Sequence, residues 1–319
     1  MPPFVIGRVI MRHLLIDTDT ASDDAVAIIM ALKCSDVKVE AIVVENGNLA
    51  VDMACKNALW AIQTADTYAP PVYRGCERPL LRECRHGTYI HGRDGMSEMN
   101  LPDPSLTLSE GHGVLKILEY ANKFPGELEI VALGPLTGIA MALRLDPELC
   151  YKIKKLYIMG SPGFGPGNIN AVAEFNIWAD AEACKIVLES GMDQTYIGWD
   201  VSCGDAVITD EEISFIEQHG SECAKFCMRC NQRLMEVNKL RFGSRCLDMA
   251  DPVAMAVALW PEIVKEDIYC YTFVETAPCA TYGQLVFDYA DKNHEEKNAH
   301  VCKSLHIDKM KELMFAHIS

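Results

Sequence analysis

Short apolar runs alternate with amphipathic stretches over the first two hundred residues. "HLLID" (13–17), "VKVEAIVV" (37–44), "ELEIVAL" (127–133), "IKKLYIMG" (153–160) and "QTYIGWD" (194–200) are rich in Val, Ile and Leu. Runs of this kind predict strands of a parallel sheet buried on both faces. "DDAVAIIMALK" (23–33), "LAVDMACKNALWAIQTA" (49–65), "EGHGVLKILEYANK" (110–123), "LTGIAMALRLD" (136–146) and "DAEACKIVLES" (180–190) lie between them and predict helices. "PPVY" (70–73) adds a short strand. Beyond about residue 205 the pattern turns to helices at 210–219, 221–239 and 251–260. Strands at 268–275, 283–288 and 299–305 and a terminal helix at 307–316 follow. The expected fold is α/β: an open, mainly parallel sheet with helices on both faces and additional helices in the C-terminal third. With no repeat or Pro/Gly/Ser linker, residues 1–319 read as a single domain. Two long irregular stretches, 74–108 and 161–173, have the length of lids or binding loops.

Composition narrows the class. Half of the 319 residues are apolar and 23% are charged, the profile of a soluble globular protein. No apolar run approaches the roughly 20 residues that a membrane helix needs. "MPPFVIGRVIMRHLLID" alternates apolar residues with Arg8 and Arg12 and has no signal-peptide core, so a cytoplasmic protein without membrane partners is expected. The fourteen cysteines are scattered singly, as reduced core thiols are. Cys223, Cys227 and Cys230 fall at i, i+4 and i+7 of a helix, a stripe with no second ligand pair for zinc. A formal charge of −16 argues against nucleic acid as a partner.

Part of that negative charge is concentrated where solubility does not require it. In an open parallel sheet, ligands bind at the carboxyl ends of the strands. The first strand ends in Asp17 and Asp19, and Asp23 and Asp24 open the next helix. The second strand leads to Asn48, the "VALGPLTG" turn frees the Leu133 carbonyl from the ladder, and "GNINAVAEFN" brings Asn168, Glu174 and Asn176. Oxygen donors without His or Cys suit Ca²⁺ or Mg²⁺. A cation also relieves the repulsion that otherwise drives clustered carboxylate pKa values upward. A metal-bound water beside an ionised Asp is a nucleophile, and the surrounding amides and carboxylates suit vicinal hydroxyls of a sugar. Taken singly, Asp23 and Asp24 read as helix N-terminal charges, Asp251-Pro252 as a cap, and Asn168 as a turn residue.

Jointly, these motifs resemble a family. "DTDTASDDAVAI", "GN", "GPLTGIAMAL", "GNINAVAEFNIWAD", "DMADPVAMAVAL" and "GQLVFDY" are similar, in order, to the motifs of the inosine-uridine nucleoside hydrolases. The resemblance implies a Ca²⁺-dependent ribonucleoside N-glycosidase acting in purine and pyrimidine salvage as a homodimer or homotetramer. By position, it implies Asp19 as metal ligand and general base, with Asp24, the Leu133 carbonyl and Asp251 as further metal ligands. Asp23, Asn48, Asn168, Glu174, Asn176 and Asp251 would hold the ribose, and Asp17 would support them.

The chain departs from the family pattern in places. Position 250, His in one subgroup and Trp in another, is Ala250. The usual Asn after "GPLT" is Gly138, the usual Pro after "FNIWAD" is Ala181, and the usual Gly of the first loop is replaced by Thr20, Ala21 and Ser22. The leaving-group side is therefore open, with His91 in the long loop as the candidate acid and Trp178 as a candidate for stacking. Two other readings compete: a catalytically weak nucleoside or sugar binder, and a phosphatase of the HAD type using Asp17.

Overall fold

The computed structural model describes residues 11–319; the N-terminal signal reading falls mainly on residues 1–10, outside the described residues. The strands are β1 (Arg12–Thr18), β2 (Val37–Val44), β3 (Val72–Arg74), β4 (Leu128–Ala132), β5 (Ile153–Met159), β6 (Gln194–Ile197), β7 (Val264–Val274), β8 (Leu285–Asp288) and β9 (Ala299–Leu305). The helices of the first two-thirds are α1 (Ser22–Lys33), α2 (Val51–Ala65), α3 (Thr88–His91), α4 (Gly113–Lys123), α5 (Thr137–Leu145), α6 (Leu149–Lys152), α7 (Phe175–Ala179) and α8 (Ala181–Leu188). Those of the last third are α9 (Asp210–His219), α10 (Glu222–Arg229), α11 (Gln232–Phe242), α12 (Ala250–Leu259) and α13 (Ile307–Ile318).

The strands form one sheet in the order β3-β2-β1-β4-β5-β6-β9-β7-β8. The first seven in that order are parallel, and β7 runs antiparallel to both β9 and β8. The strand order turns at β1, whose neighbours are β2 on one side and β4 on the other. That is where a doubly wound sheet opens a crevice at its carboxyl edge.

Alternating side chains of β1 feed two separate cores. Leu14 and Ile16 join a cluster with α1, α2, α12 and α13, whereas Leu15 joins the opposite one with α4, α5 and α8. Period-two alternation thus explains why a strand apolar on both faces needs helices on both. Helix α1 is buried from Ser22 to Leu32, which accounts for its all-round apolar sequence. Arg12 fixes α12 from below: its guanidinium donates to the carbonyls of Ala258 (2.7 Å) and Leu259 (3.0 Å). A cation suits a helix C-terminus, and this one orients the helix whose other end carries Asp251.

Three expectations need correction. The helix predicted over 221–239 is two helices, broken where the Asn231 amide turns back to the Cys227 carbonyl (3.0 Å) and across to Ser22 (3.1 Å). The strand predicted from 268 begins at Val264. Helix α12 begins at Ala250, so Asp251 is its second residue and not its cap. Among the described residues, no helix is long and apolar enough to cross a membrane.

Candidate active site

One short turn between β1 and α1 brings Asp19, Asp23 and Asp24 to the carboxyl edge of the sheet. Asp24 closes the helix end, accepting from the Ala21 backbone N–H (2.8 Å) and from Thr18 Oγ1. The helix-terminal reading is therefore true of Asp24. It does not account for Asp19 and Asp23, whose Oδ1 atoms are buried without a hydrogen-bond partner. Asp19 Oδ2 accepts from the Asn48 backbone N–H. Gly47 of the "GN" pair makes that approach possible, since a Cβ there would lie 2.0 Å from Asp19 Oδ2.

Asp251 joins them from α12. Asp23, Asp24 and Asp251 each offer a carboxylate oxygen, all within 4.8 Å of one another. Burial, then mutual repulsion, raises every acid of the group. Asp24 is pushed up to about 6 by burial and then by Asp23. Asp23 reaches about 6 through burial and, more weakly, the charge of Asp248. Asp19 and Asp251 are raised well above the usual carboxylate range, both by burial first and then by the other aspartates. Buried oxygen donors that repel one another and lack counter-charges are a set that can hold a metal ion.

The next two strand ends complete the rim. The Leu133 carbonyl leaves the β-ladder as expected, but it accepts from Asn176 Nδ2 at 2.7 Å, which leaves one lone pair unused. Asn176 Oδ1 is buried and unpartnered. Glu174 caps α7, accepting from the Asn176 backbone N–H (3.0 Å) and the Ser161 N–H (3.3 Å), and burial pushes its pKa up to about 7. Asn168 Oδ1 accepts from the Phe175 N–H (2.9 Å). Asp23, Asn48, Asn168, Glu174, Asn176 and Asp251 all line one cleft, enclosing about 660 Å³ with its mouth included. Asp19 and Asp24 are wholly buried and do not themselves line the cleft; the charges of both act on Asp251, and Asp19 lies outside the 4.8 Å group.

The opposite wall is built differently. His91 ends α3 in the long loop and is buried, with Nδ1 2.9 Å from Ser22 Oγ and 3.7 Å from Asp23 Oδ1. Burial lowers its pKa to about 4 against the pull of Asp24 and Asp248, so the imidazole is neutral at pH 7. Ala250, Trp199, Asp248 and Arg241 line the cleft as well. Sequence reasoning missed the last three, which come from separate elements and carry no spacing signal.

Comparison with known proteins settles the family. The family model described as inosine-uridine preferring nucleoside hydrolase matches residues 14–312. The chain belongs to that family. A probable uridine nucleosidase of Oryza sativa subsp. japonica is 32% identical over 250 residues, 78% of this chain and 77% of that protein. A pyrimidine-specific ribonucleoside hydrolase of Salmonella schwarzengrund is 32% identical, covering 90% of this chain and 92% of its own. Among solved structures, a purine-preferring ribonucleoside hydrolase from Gardnerella vaginalis superposes with a TM-score of 0.89 at 25% identity, over 96% of this chain and 98% of that one. The protein is a nucleoside hydrolase, an enzyme acting on N-glycosyl bonds.

Several departures from the family pattern have physical reasons here. A Cβ on Gly138 would lie 2.1 Å from Glu45 Oε1 and 3.3 Å from Asp17 Oδ2, so Glu45 occupies the space that a larger residue at 138 would need. Glu45, a buried acid at the end of β2 raised to about 7, was not anticipated. Ala181 donates its backbone N–H to Tyr282 Oη (3.3 Å), a bond that proline cannot make. Trp178 packs against Phe175 (ring centroids 6.4 Å apart) and Gly283, away from the cleft lining, and is not a stacking surface. Asp17 is wholly buried behind the cleft, with both oxygens unpartnered, out of reach as a phosphatase nucleophile.

Proposed function

We propose that this nucleoside hydrolase cleaves the N-glycosidic bond of ribonucleosides to ribose and free base in a Ca²⁺-dependent reaction, with Asp19 as general base. The observation that carries the reading is the pair of unpartnered, buried oxygens on Asp19 and Asp23 beside the Asp24–Asp251 pair. A hard cation fits this donor set, which is all oxygen and has no counter-charge. Asp19, Asp24, Asp251 and the free lone pair of Leu133 would hold it. Bound there, Ca²⁺ supplies the charge that keeps the aspartates ionised and lowers the pKa of a coordinated water.

The chain's own residues do the rest. Asp19 Oδ1 accepts the proton of the attacking water as its oxygen bonds to C1′ and the C1′–N pair departs with the base. Asp23, Glu174 and Asp251 face the sugar with negative charge, which stabilises an oxocarbenium-like transition state. Asn48, Asn168 and Asn176 pair with the ribose hydroxyls. With Ser22 Oγ–H donating to Nδ1, neutral His91 carries its proton on Nε2 and hydrogen-bonds the negative charge that develops on the leaving base, which takes its proton from solvent. No covalent sugar–enzyme intermediate is needed, as in inverting glycosidases. The enzyme works in the cytoplasm as a homodimer or homotetramer on this reading, and the fourteen free cysteines support a reducing compartment.

A panel of purine, pyrimidine and nicotinamide ribosides with their 2′-deoxy counterparts tests the reading. Ribose and base are expected from the ribosides, with the deoxy compounds slower by about 10⁴-fold, because a site built to bond a hydroxyl is left unpaired without it. Comparable ribo and deoxy rates would contradict the ribose assignments. Binding of the ribosides with no turnover would leave a binder.

A further inference from the structure

Ala250 lines the cleft next to Asp251 and offers only a methyl group there. An aromatic ring is nevertheless held in the same wall. Trp199 opens the turn after β6 and lines the cleft together with Ala250 and Asp248. Its backbone N–H donates to the Ser161 carbonyl (2.9 Å), and its indole N–H donates to Asp248 Oδ2 (3.1 Å). Asp248 is itself anchored: Oδ1 accepts from Asn238 Nδ2 at 2.6 Å, and Asn238 is wholly buried. Asn238 Nδ2 is also 3.1 Å from the Cys246 carbonyl.

The backbone of Trp199 and its indole N–H are thereby both tethered, which restricts rotation of the ring plane. The arrangement is costly, because Asp248 is 4% exposed and makes no ion pair among the described residues. The Asp248 side chain accepts from one amide and one indole N–H, with only the more distant Arg241 favouring its charge, so a neutral acceptor would serve packing alone. Orienting an aromatic face toward a planar ligand supplies a reason beyond packing, since every nucleobase has a face to stack.

We propose that Trp199 is the stacking wall for the leaving base, and that Asp248, held by Asn238, is the positioning residue that sets the indole plane. This deepens the hydrolase reading and rests on it. The ligand class is a planar heteroaromatic base, purine or pyrimidine, with the ribose held independently on the aspartate side.

The test separates base from sugar. Trp199→Ala is expected to raise KM for nucleosides about tenfold to a hundredfold, the range of one base–aromatic stack. The inhibition constant of free ribose should not move. Trp199→Phe, which keeps a ring, should recover most of the loss. Asp248→Ala should raise KM with a smaller effect on kcat. A spectroscopic arm needs no turnover. Free uracil or hypoxanthine should quench tryptophan fluorescence in the wild type and not in Trp199→Phe, although three other tryptophans remain. Quenching that persists in Trp199→Phe, or a ribose constant that rises with the nucleoside KM, would overturn the proposal. Riboside hydrolysis that is indifferent to Trp199 would remove the wall and leave the hydrolase standing. Quenching through Trp199 without hydrolysis of any riboside would do the reverse.

Discussion

The two halves of the cleft are made by different means. On the sugar side, carboxylates and amides sit at the ends of parallel strands and the first turns of the helices that follow. Asp19, Asp23, Asp24, Glu174, Asn176 and Asp251 are deeply buried there, whereas Asn48 and Asn168 sit half-buried on the adjoining loops. On the base side, residues come from the long loop, the turn after β6, helix α11 and the approach to α12. On the proposed reading, the charge that the chemistry needs is placed on the scaffold, and recognition of the leaving group on loops and turns, which can change at little cost to a core. Electrostatics differ accordingly. The sugar side is a group of mutually repelling acids with raised pKa values, and the base side has a neutral histidine, an aromatic ring, and one tethered acid whose charge Arg241 favours.

Removing the reactive side chain from each half is the strongest way to break this contrast. Asp19→Ala is expected to lower kcat for ribose release by about 10²–10⁴-fold, the range for a lost general base, with little change in KM. A purely structural role would instead lower Tm and leave the activity of the folded fraction intact. His91→Ala probes the other half. It should slow natural nucleosides by about 10²-fold more than p-nitrophenyl riboside, whose leaving group needs no proton. Equal loss on both substrates would remove His91 from leaving-group chemistry.

A smaller effect sharpens the electrostatic side of the comparison. Asp23 and Asp24 have folded pKa values of about 6 against an ordinary 3.8, so the metal-free folded protein binds more protons than the unfolded chain across that interval. Stability of the metal-free protein should therefore fall as pH rises from about 4 through about 6, and stay low above it. His91, lowered from 6.5 to about 4, pulls the other way, as one group against several. Thermal unfolding of chelator-treated protein should show Tm declining between about pH 4 and pH 6 and level above that. Saturating Ca²⁺ should reverse the decline by binding only the folded state. A flat profile in both conditions would mean that the acids are not the coupled, buried group described.

The same contrast explains what could be read in advance. The strand over 37–44 and helix α9 at 210–219 follow from hydrophobic periodicity alone. The sugar rim was legible because its residues are clustered in sequence, and strand ends converge by rule in a parallel sheet. Trp199, Asn238 and Asp248 were not legible. They sit on separate elements, and each is a residue type that packs or turns far more often than it binds. The one-turn helices at Thr88–His91 and Phe175–Ala179 are too short to show a helical period. The break at Asn231 depends on a contact with Ser22, distant in sequence, that no local pattern records.

Calcium binding and ribose release, measured together on chelator-treated protein, test the central claim most directly. Calorimetric titration should find one Ca²⁺ per chain, with ribose release from a ribonucleoside rising in step with occupancy, and both should be lost in Asp24→Ala. Full ribose release from the chelated protein, or Ca²⁺ binding undiminished in Asp24→Ala, would contradict it.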